Sequence, residues 1–140
     1  MINGKKIAVV MPAYNAAKTL EETFRAIPKG IADEVILVDD FSSDNTVEIA
    51  KSLGINVITH EKNSGYGANQ KTCYKKALES GADIIVMLHP DFQYDPNLIP
   101  ALSSMIAYNN YDCAIASRFL VGSAKHSKMP KYKYIANRFL

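Results

Sequence analysis

The 140-residue chain has sixteen lysines and arginines against fourteen aspartates and glutamates, a formal net charge of +2, and 48% hydrophobic residues. This composition suffices for a buried core and excludes a disordered chain and a nucleic-acid binder that relies on net charge. No apolar run approaches the roughly eighteen residues of a membrane span, and the amino terminus lacks a signal-peptide core. We expect a cytoplasmic protein with no nucleic-acid partner and at most peripheral membrane contact.

Short apolar runs alternate with segments of helical periodicity along the chain. The apolar runs predict strands, and the periodic segments predict amphipathic helices between them. The predicted strands are residues 7–11, 34–38, 55–59, 84–88 and 113–116. The predicted helices lie near residues 17–27, 46–53, 68–80 and 96–109. This alternation predicts an α/β fold with a mainly parallel, doubly wound sheet and helices on both faces.

The fourth predicted strand, Ile84–Leu88, is the element around which the sequence is organised. Its five apolar residues predict burial on both faces and a central place in the sheet, whereas the third strand alternates as an edge strand does. We expect Pro12 to end the first strand and Asn15 to cap the helix after it. Asp95 and Pro96 have the pattern of an N-cap followed by proline at the first helical position.

Cys73 and Cys113 lie far apart and lack the spacing of a zinc site. We expect both to be small core residues in a reducing compartment. Beyond residue 118 the chain is basic, which predicts a solvated face or a surface toward a diphosphate or an anionic membrane. The apolar end at Leu140 predicts a domain incomplete at its carboxyl terminus, with an uncovered surface that could form a homo-oligomer.

Polar residues follow three predicted strands where each strand ends. No GxGxxG turn follows the first strand and no P-loop occurs, so a dehydrogenase or an NTPase is disfavoured. Asp39 and Asp40 either accept hydrogen bonds from a ribose or a base edge or cap the next helix. A doubly wound sheet brings such strand ends to one rim, which favours a shared ligand site.

His89 and Asp91 stand two residues apart, a spacing that places both side chains on one side of an extended backbone. Mg²⁺ or Mn²⁺ takes one or two carboxylates together with phosphate oxygens, and a histidine ligand favours Mn²⁺. The alternative is a histidine packed at a turn and an aspartate in a cap. Residues 63–67 form a ligand-approaching loop or an ordinary one, and Arg118 pairs with a phosphate or with a surface carboxylate.

Five motifs occur in a fixed order along the chain. They are Val10-Met11-Pro12-Ala13-Tyr14-Asn15, residues 38–46, Asn63-Ser64-Gly65-Tyr66-Gly67, residues 88–96 and Ser117-Arg118-Phe119. As an ordered set spanning residues 5–140, they resemble the family 2 glycosyltransferases of the GT-A fold. The resemblance is strongest to the polyprenyl-phosphate branch, which is similar to dolichol-phosphate-mannose synthase.

The resemblance implies that residues 1–140 are a single nucleotide-sugar-binding domain, the amino-terminal portion of a Rossmann-like GT-A domain. The implied donor contacts are Pro12, Tyr14, Val38, Asp40, His89, Pro90, Asp91, Gln93, Arg118 and Lys133. Pro12, Tyr14, Val38 and Asp40 would hold the nucleoside. The residues from His89 onward would contact the diphosphate, the cation and the sugar. Asp91 and Arg118 are the implied catalytic residues, and Asp91 with His89 would bind Mn²⁺ or Mg²⁺. Two positions depart from the family pattern: His89 replaces the first carboxylate of the D-x-D motif, and Ala16 replaces a glutamate.

The implied activity is inverting transfer of a sugar from a nucleoside diphosphate-sugar to a polyprenyl phosphate or a saccharide. Such a reaction belongs to cell-wall or polysaccharide biosynthesis, at the cytoplasmic face of a membrane. Three alternatives remain open. They are a nucleotide-binding module without turnover, a sugar nucleotidyltransferase, although its glycine- and arginine-rich loop is absent, and an α/β domain with ordinary helix caps.

Overall fold

The computed structural model describes residues 1–117, and the predictions for Arg118, Lys133 and the basic segment lie outside this range. The strands are β1 (Ile7–Ala13), β2 (Glu34–Asp39), β3 (Asn56–Thr59) and β4 (Ile84–Met87). The helices are α1 (Leu20–Arg25), α2 (Thr46–Ser52), α3 (Tyr66–Glu79) and α4 (Ile99–Ala107), with a 3-10 turn (Pro96–Leu98) before α4. None of the helices in the described part of the chain is long and apolar enough to cross a membrane.

The four strands of residues 1–117 form one parallel sheet in the order β3-β2-β1-β4. The chain moves outward from β1 through β2 to β3, and β4 then pairs with the other side of β1. The direction of winding therefore reverses at β1, and a crevice opens between the loops that follow β1 and β4. The predicted parallel sheet is confirmed, as is the place of β3 at an edge.

Helices cover both faces of the sheet, as predicted. On one face, Met11 and Leu37 belong to a cluster that includes Leu20 of α1. On the other face, Val10 packs with Cys73 of α3. All seven residues of β1 are buried, and each large apolar side chain so buried contributes about 1.5–3 kcal/mol of transfer free energy. The core is therefore centred on β1, which fixes the strand ends on either side of the crevice.

The central position predicted for β4 is wrong for the described sheet, and so is the predicted strand at residues 113–116. Within residues 1–117, β4 pairs only with β1, and Ile84 alone among its four residues is buried. Residues 113–117 have no strand structure and border an apolar cavity of about 670 Å³ beside β4 and α4. A run of apolar residues indicates that a strand is buried. Which strands lie beside it depends on where the connecting helix leads the chain, and the run itself does not show this.

Pro12 does not end β1, contrary to prediction, because its missing N–H falls where no ladder bond is needed. Val10 accepts a hydrogen bond from Leu88 on the β4 side, and Ala13 accepts one from Asp40 on the β2 side. Since successive residues of a strand alternate sides, the nitrogen of Pro12 faces the β4 side. The described pairing with β4 reaches no further along β1 than Val10. Proline is tolerated at such a position.

The caps differ in part from the predictions. The position before α1 is held by Thr19, while Asn15 has a positive φ of 51° and accepts a hydrogen bond from the Ser43 amide instead. Asp95 accepts a hydrogen bond from the Asn97 amide at 2.9 Å, as an N-cap does. The sequence pattern does not separate the two roles of Asn15, because a side-chain oxygen suits a tight turn as well as a helix start.

The two cysteines differ, and the core position predicted for Cys113 is wrong. Cys73 is buried and Cys113 is exposed, and burial raises the pKa of the Cys73 thiol to about 12. Because the thiolate is the reactive form, we expect a thiol reagent to label Cys113 in the native protein and Cys73 only after unfolding. Mass spectrometry of the labelled protein checks this, with Cys113→Ser as the control. Equal labelling of both cysteines in the native state would contradict it.

Candidate functional site

The carboxyl ends of the parallel strands lie at one edge of the sheet, and hydrogen bonds join the loops that follow them. The Asp40 amide donates to the Ala13 carbonyl at 2.8 Å, which ties the end of β2 to the end of β1. The Thr19 hydroxyl donates to the Pro90 carbonyl, which ties the segment before α1 to the loop after β4. The residues predicted for a site after β1, β2 and β4 are thus carried by loops of the same edge.

Asp40 is 3% exposed and its carboxylate is occupied by the protein itself. It accepts hydrogen bonds from the amides of Ser64 and Gly65, at 2.9 and 2.8 Å, and its oxygen lies 2.7 Å from Nδ1 of His60. Burial alone would raise the pKa of Asp40, but the bonds from Ser64, His60 and Gly65 outweigh it and lower that pKa. Asp40 therefore anchors the loop that leads into α3.

Asp39 and Asp44 are also engaged within the protein. Asp39 accepts a hydrogen bond from the Ser42 amide at 2.9 Å, and Asp44 accepts from the amides of Ala17 and Thr46, each at 3.1 Å. The bonds from Ser42 and Thr46 are local turn bonds, whereas the bond from Ala17 reaches the segment before α1. Asp39 is thus engaged within its own turn, whereas Asp40 and Asp44 each join two separate loops.

The bonds of Asp40 and Asp44 make the protein sensitive to acid. Burial would raise the pKa of Asp44, but hydrogen bonds from Thr46 and Ala17 hold it below its ordinary value of 3.8, as the donors around Asp40 do for that residue. A carboxyl whose pKa is lower in the folded state stabilises the fold above its unfolded pKa, and this stabilisation is lost as the pH falls through the folded value.

We therefore expect the midpoint of urea unfolding to be lower at about pH 3 than at pH 7, since ~pH 3 lies below the unfolded pKa of both groups. Circular dichroism at the two pH values measures the difference. Asp40→Asn removes one of these carboxyls, so its midpoint should change less with pH than that of the unsubstituted protein. A midpoint independent of pH over this range would contradict the prediction.

Asp91 lies in the loop after β4, and its carboxylate is exposed. One oxygen accepts a hydrogen bond from the Gln93 amide at 3.0 Å, and the other has no hydrogen-bond partner within residues 1–117. Phe92 between them has a positive φ of 55°, which bends the loop. Pro90 is buried beneath it. Asp91 thus differs from Asp39, Asp40 and Asp44 in having a carboxylate oxygen available to a ligand.

The ring of His89 contacts two tyrosine rings. Its ring centroid is 5.4 Å from that of Tyr66 and 5.8 Å from that of Tyr94. The Tyr66 hydroxyl is 3.0 Å from Nε2 of His89, and Nε2 of Gln70 donates to the same hydroxyl at 2.5 Å. Within residues 1–117, His, Cys, Asp and Glu side chains form no group of three that could hold a metal ion. A cation here would need ligands beyond the His, Cys, Asp and Glu side chains of residues 1–117.

The remaining predicted site residues differ in their exposure to solvent. Tyr14 is 56% exposed and directly follows β1, and Gln93 is exposed in the loop after β4. Pro12 and Val38 are register partners across β1 and β2 and are buried, so they support the rim from below. The contacts of Pro12, Tyr14 and Val38 with the nucleoside, and of Gln93 with the phosphates or the sugar, stay predictions.

Sequence reasoning missed three residues that shape this edge, His60, Asn69 and Gln70, and it placed Tyr66 in a loop motif without giving its side chain a role. Asn69 is buried, and its side-chain amide donates to the Val38 carbonyl at 3.0 Å, which holds α3 against the end of β2. His60 comes directly after β3, so the rule that singled out Asp40 applies to it as well. No sequence signal identifies the role of Gln70 or the contact of Tyr66 with His89, because Met87 and His89, the partners of these side chains, lie elsewhere in the chain.

A doubly wound parallel sheet with a crevice at the reversal of winding is the architecture of nucleotide-binding α/β proteins. An exposed tyrosine follows β1 on one side of this crevice, and an exposed carboxylate follows β4 on the other. Residues 8–140 match the family model Glycosyl transferase family 2, and the chain belongs to this family. Its fold is the GT-A fold of these enzymes.

Three comparisons illustrate the relationship. The chain is 33% identical over 140 residues to the dolichol-phosphate mannosyltransferase of Pyrococcus furiosus, covering 95% of this chain and 38% of the relative. It is 31% identical over 150 residues to the UDP-N-acetylglucosamine–dolichyl-phosphate N-acetylglucosaminyltransferase of Methanococcus voltae, covering 95% and 59%. The structure resembles glucosyl-3-phosphoglycerate synthase from Mycobacterium tuberculosis, solved with Mn²⁺, UDP and glucosyl-3-phosphoglycerate. The TM-score is 0.63 at 27% identity, over 74% of this chain and 40% of that one.

Proposed function

We propose that the protein transfers a sugar from a nucleoside diphosphate-sugar to a polyprenyl phosphate, with inversion at the anomeric carbon. The family supports a glycosyltransferase, and the names of the two curated relatives support a lipid phosphate as acceptor. The chain spans 38% and 59% of the length of these relatives. We propose that residues 1–140 contribute the donor-binding portion of the enzyme.

The availability of the Asp91 carboxylate is the observation that carries this proposal. Asp39, Asp40 and Asp44 all accept hydrogen bonds from protein donors that fix the rim. Asp91 is exposed and keeps one oxygen without a partner in the described structure. Because Mg²⁺ and Mn²⁺ are held in such sites by one or two carboxylates and the phosphates of the substrate, a single carboxylate of this kind fits a divalent cation.

Different residues of the crevice would contact different parts of the nucleoside diphosphate-sugar. Tyr14 would pack on the base or ribose at the end of β1, above the buried Pro12 and Val38. Asp91 would hold the cation, which supplies positive charge to the leaving diphosphate. Gln93 would lie beside the phosphates or the sugar. Arg118 would neutralise phosphate charge as the bond to the sugar breaks, with Lys133 as a second basic position.

A phosphate acceptor would need no general base among the rim residues. An acceptor hydroxyl needs a general base whose pKa is raised toward neutrality, whereas a phosphate oxygen is already an anion. The resolved pKa shifts of the rim carboxylates, those of Asp40 and Asp44, are both downward. Neither carboxyl is therefore tuned to accept a proton at neutral pH. A lipid acceptor would place the reaction at a membrane surface.

The experiment is a transfer assay with the intact protein, labelled UDP- and GDP-sugars, Mg²⁺ or Mn²⁺, and either a polyprenyl phosphate or a saccharide. We expect a glycolipid whose anomeric configuration, read by NMR, is opposite to that of the donor. Transfer to the saccharide alone would refute the acceptor. Nucleotide binding without any transfer would favour a binding module. Release of pyrophosphate from a nucleoside triphosphate and a sugar phosphate would favour a nucleotidyltransferase.

A further inference from the structure

The imidazole of His89 is held in one orientation by side chains that the proposed function does not use. Its ring contacts the rings of Tyr66 and Tyr94. Its Nε2 atom is 3.0 Å from the hydroxyl of Tyr66, the first residue of α3. Nδ1 has no hydrogen-bond partner within residues 1–117. One ring nitrogen is therefore committed to the protein and the other is available.

Gln70 fixes the direction of the hydrogen bond between Tyr66 and His89. The same Gln70 nitrogen contacts the Tyr66 hydroxyl at 2.5 Å and the Met87 sulfur at 3.1 Å. A thioether sulfur carries no proton and can only accept, so the amide group facing Met87 is the NH₂ and not the oxygen. Gln70 therefore donates one proton toward Met87 and the other to the Tyr66 oxygen.

The Tyr66 hydroxyl, having accepted from Gln70, has its own proton to donate, and Nε2 of His89 is the acceptor within reach. A neutral imidazole carries one proton, so an Nε2 that accepts leaves the proton on Nδ1. If Nε2 of His89 carried the proton instead, it would donate to the Tyr66 oxygen, and the hydroxyl proton of Tyr66 would lose Nε2 as its acceptor. The arrangement that pairs every proton thus presents Nδ1–H of His89 as a hydrogen-bond donor.

We propose that Gln70 and Tyr66 orient His89 so that its Nδ1–H donates to a diphosphate oxygen of the donor, leaving Asp91 as the cation ligand. This inference rests on the proposed function, because it requires a diphosphate beside Asp91. It replaces the expectation that His89 binds the cation, since a protonated nitrogen has no lone pair for a metal. Tyr66 and Gln70 are positioning residues, whereas His89 touches the substrate.

The tautomer is the first test, and it needs no ligand. With ¹⁵N-labelled histidine in the intact protein, NMR should show His89 protonated at Nδ1, its signals being assigned by their loss in His89→Asn. Tyr66→Phe should give a mixture of tautomers, whereas Tyr74→Phe, on the same helix, should not. His89 protonated at Nε2 in the unsubstituted protein would overturn the inference.

Binding is the second test, with UDP and GDP titrated calorimetrically in the presence of Mg²⁺. Asparagine places an amide donor near the Nδ1 position and glutamine places one near Nε2. We therefore expect His89→Asn to keep affinity within about threefold and His89→Gln to lose about tenfold or more, the worth of a hydrogen bond to a charged group. Binding of Mn²⁺ alone should be equal in both variants. A weakened Mn²⁺ affinity that His89→Asp restores would show that His89 is a cation ligand.

The outcomes separate this inference from the proposed function. If neither UDP nor GDP binds the unsubstituted protein, the proposed function fails and the diphosphate role of His89 fails with it. If a nucleotide binds and His89→Gln binds it equally well, the proposed function stands and only the role of His89 is refuted.

Discussion

Asp91→Ala in the intact protein should lower sugar transfer by about a hundredfold or more, the usual cost of removing an electrostatic contact made to developing charge. Asp91 is exposed, and its one described hydrogen bond comes from the Gln93 amide two residues away. Its removal should therefore leave the free energy of unfolding within about 0.5 kcal/mol of the original value. Initial rates with a labelled donor, together with urea unfolding, measure both quantities.

Asp112→Ala is the matched control, because Asp112 is an exposed aspartate that borders a pocket with Lys5 and Asp83, away from the loops after β1 and β4. It removes the same charge, so its transfer rate should be unchanged. Full transfer by Asp91→Ala would refute the cation site. A rate loss shared equally by both variants would show that net charge, and not position, matters.

Asp40→Asn should destabilise the protein by about 2–4 kcal/mol, which would be the largest stability effect of any rim substitution. The buried carboxylate accepts from Ser64 and Gly65 and pairs with His60. An amide of the same shape has one acceptor oxygen and turns an NH₂ group toward donors, so buried donors lose their partners at roughly 1–3 kcal/mol each. Urea unfolding at pH 7 measures the loss.

His60→Ala provides the graded comparison, because it removes one partner of Asp40 and leaves both backbone donors in place. We expect its free energy of unfolding to fall by about half as much, near 1–2 kcal/mol. Equal stability of Asp40→Asn and the unsubstituted protein would show that the loop before α3 is held by other contacts.

The fold was predictable where local patterns decide it. Apolar runs and helical periodicity specify the alternation of strands and helices, and a helical crossover between successive strands specifies a parallel sheet. The neighbours of each strand were not predictable, because they depend on where α3 carries the chain. Ile84–Leu88 has the composition of a central strand, yet β4 has β1 as its one partner in the described sheet. Residues 113–116 have strand composition without a strand partner in that part of the chain.

The site was predictable to the level of the strand ends. The rule that parallel strands present their carboxyl ends at one edge placed Tyr14, Asp40 and Asp91 on loops of that edge. It could not separate Asp40, which is engaged by His60 and Ser64, from Asp91, whose carboxylate is exposed. That distinction depends on partners contributed by other elements, which sequence spacing does not reveal.

Mapping the bound nucleotide by NMR tests most directly whether the loops after β1, β2 and β4 form one donor pocket. Titration of the ¹⁵N-labelled protein with UDP or GDP and Mg²⁺ should shift the amide signals of Tyr14, Asp40 and Asp91 together. Replacing Mg²⁺ with Mn²⁺ should then broaden signals most strongly around Asp91. Shifts confined to one loop or to the opposite edge of the sheet, or Mn²⁺ broadening centred away from Asp91, would contradict the account.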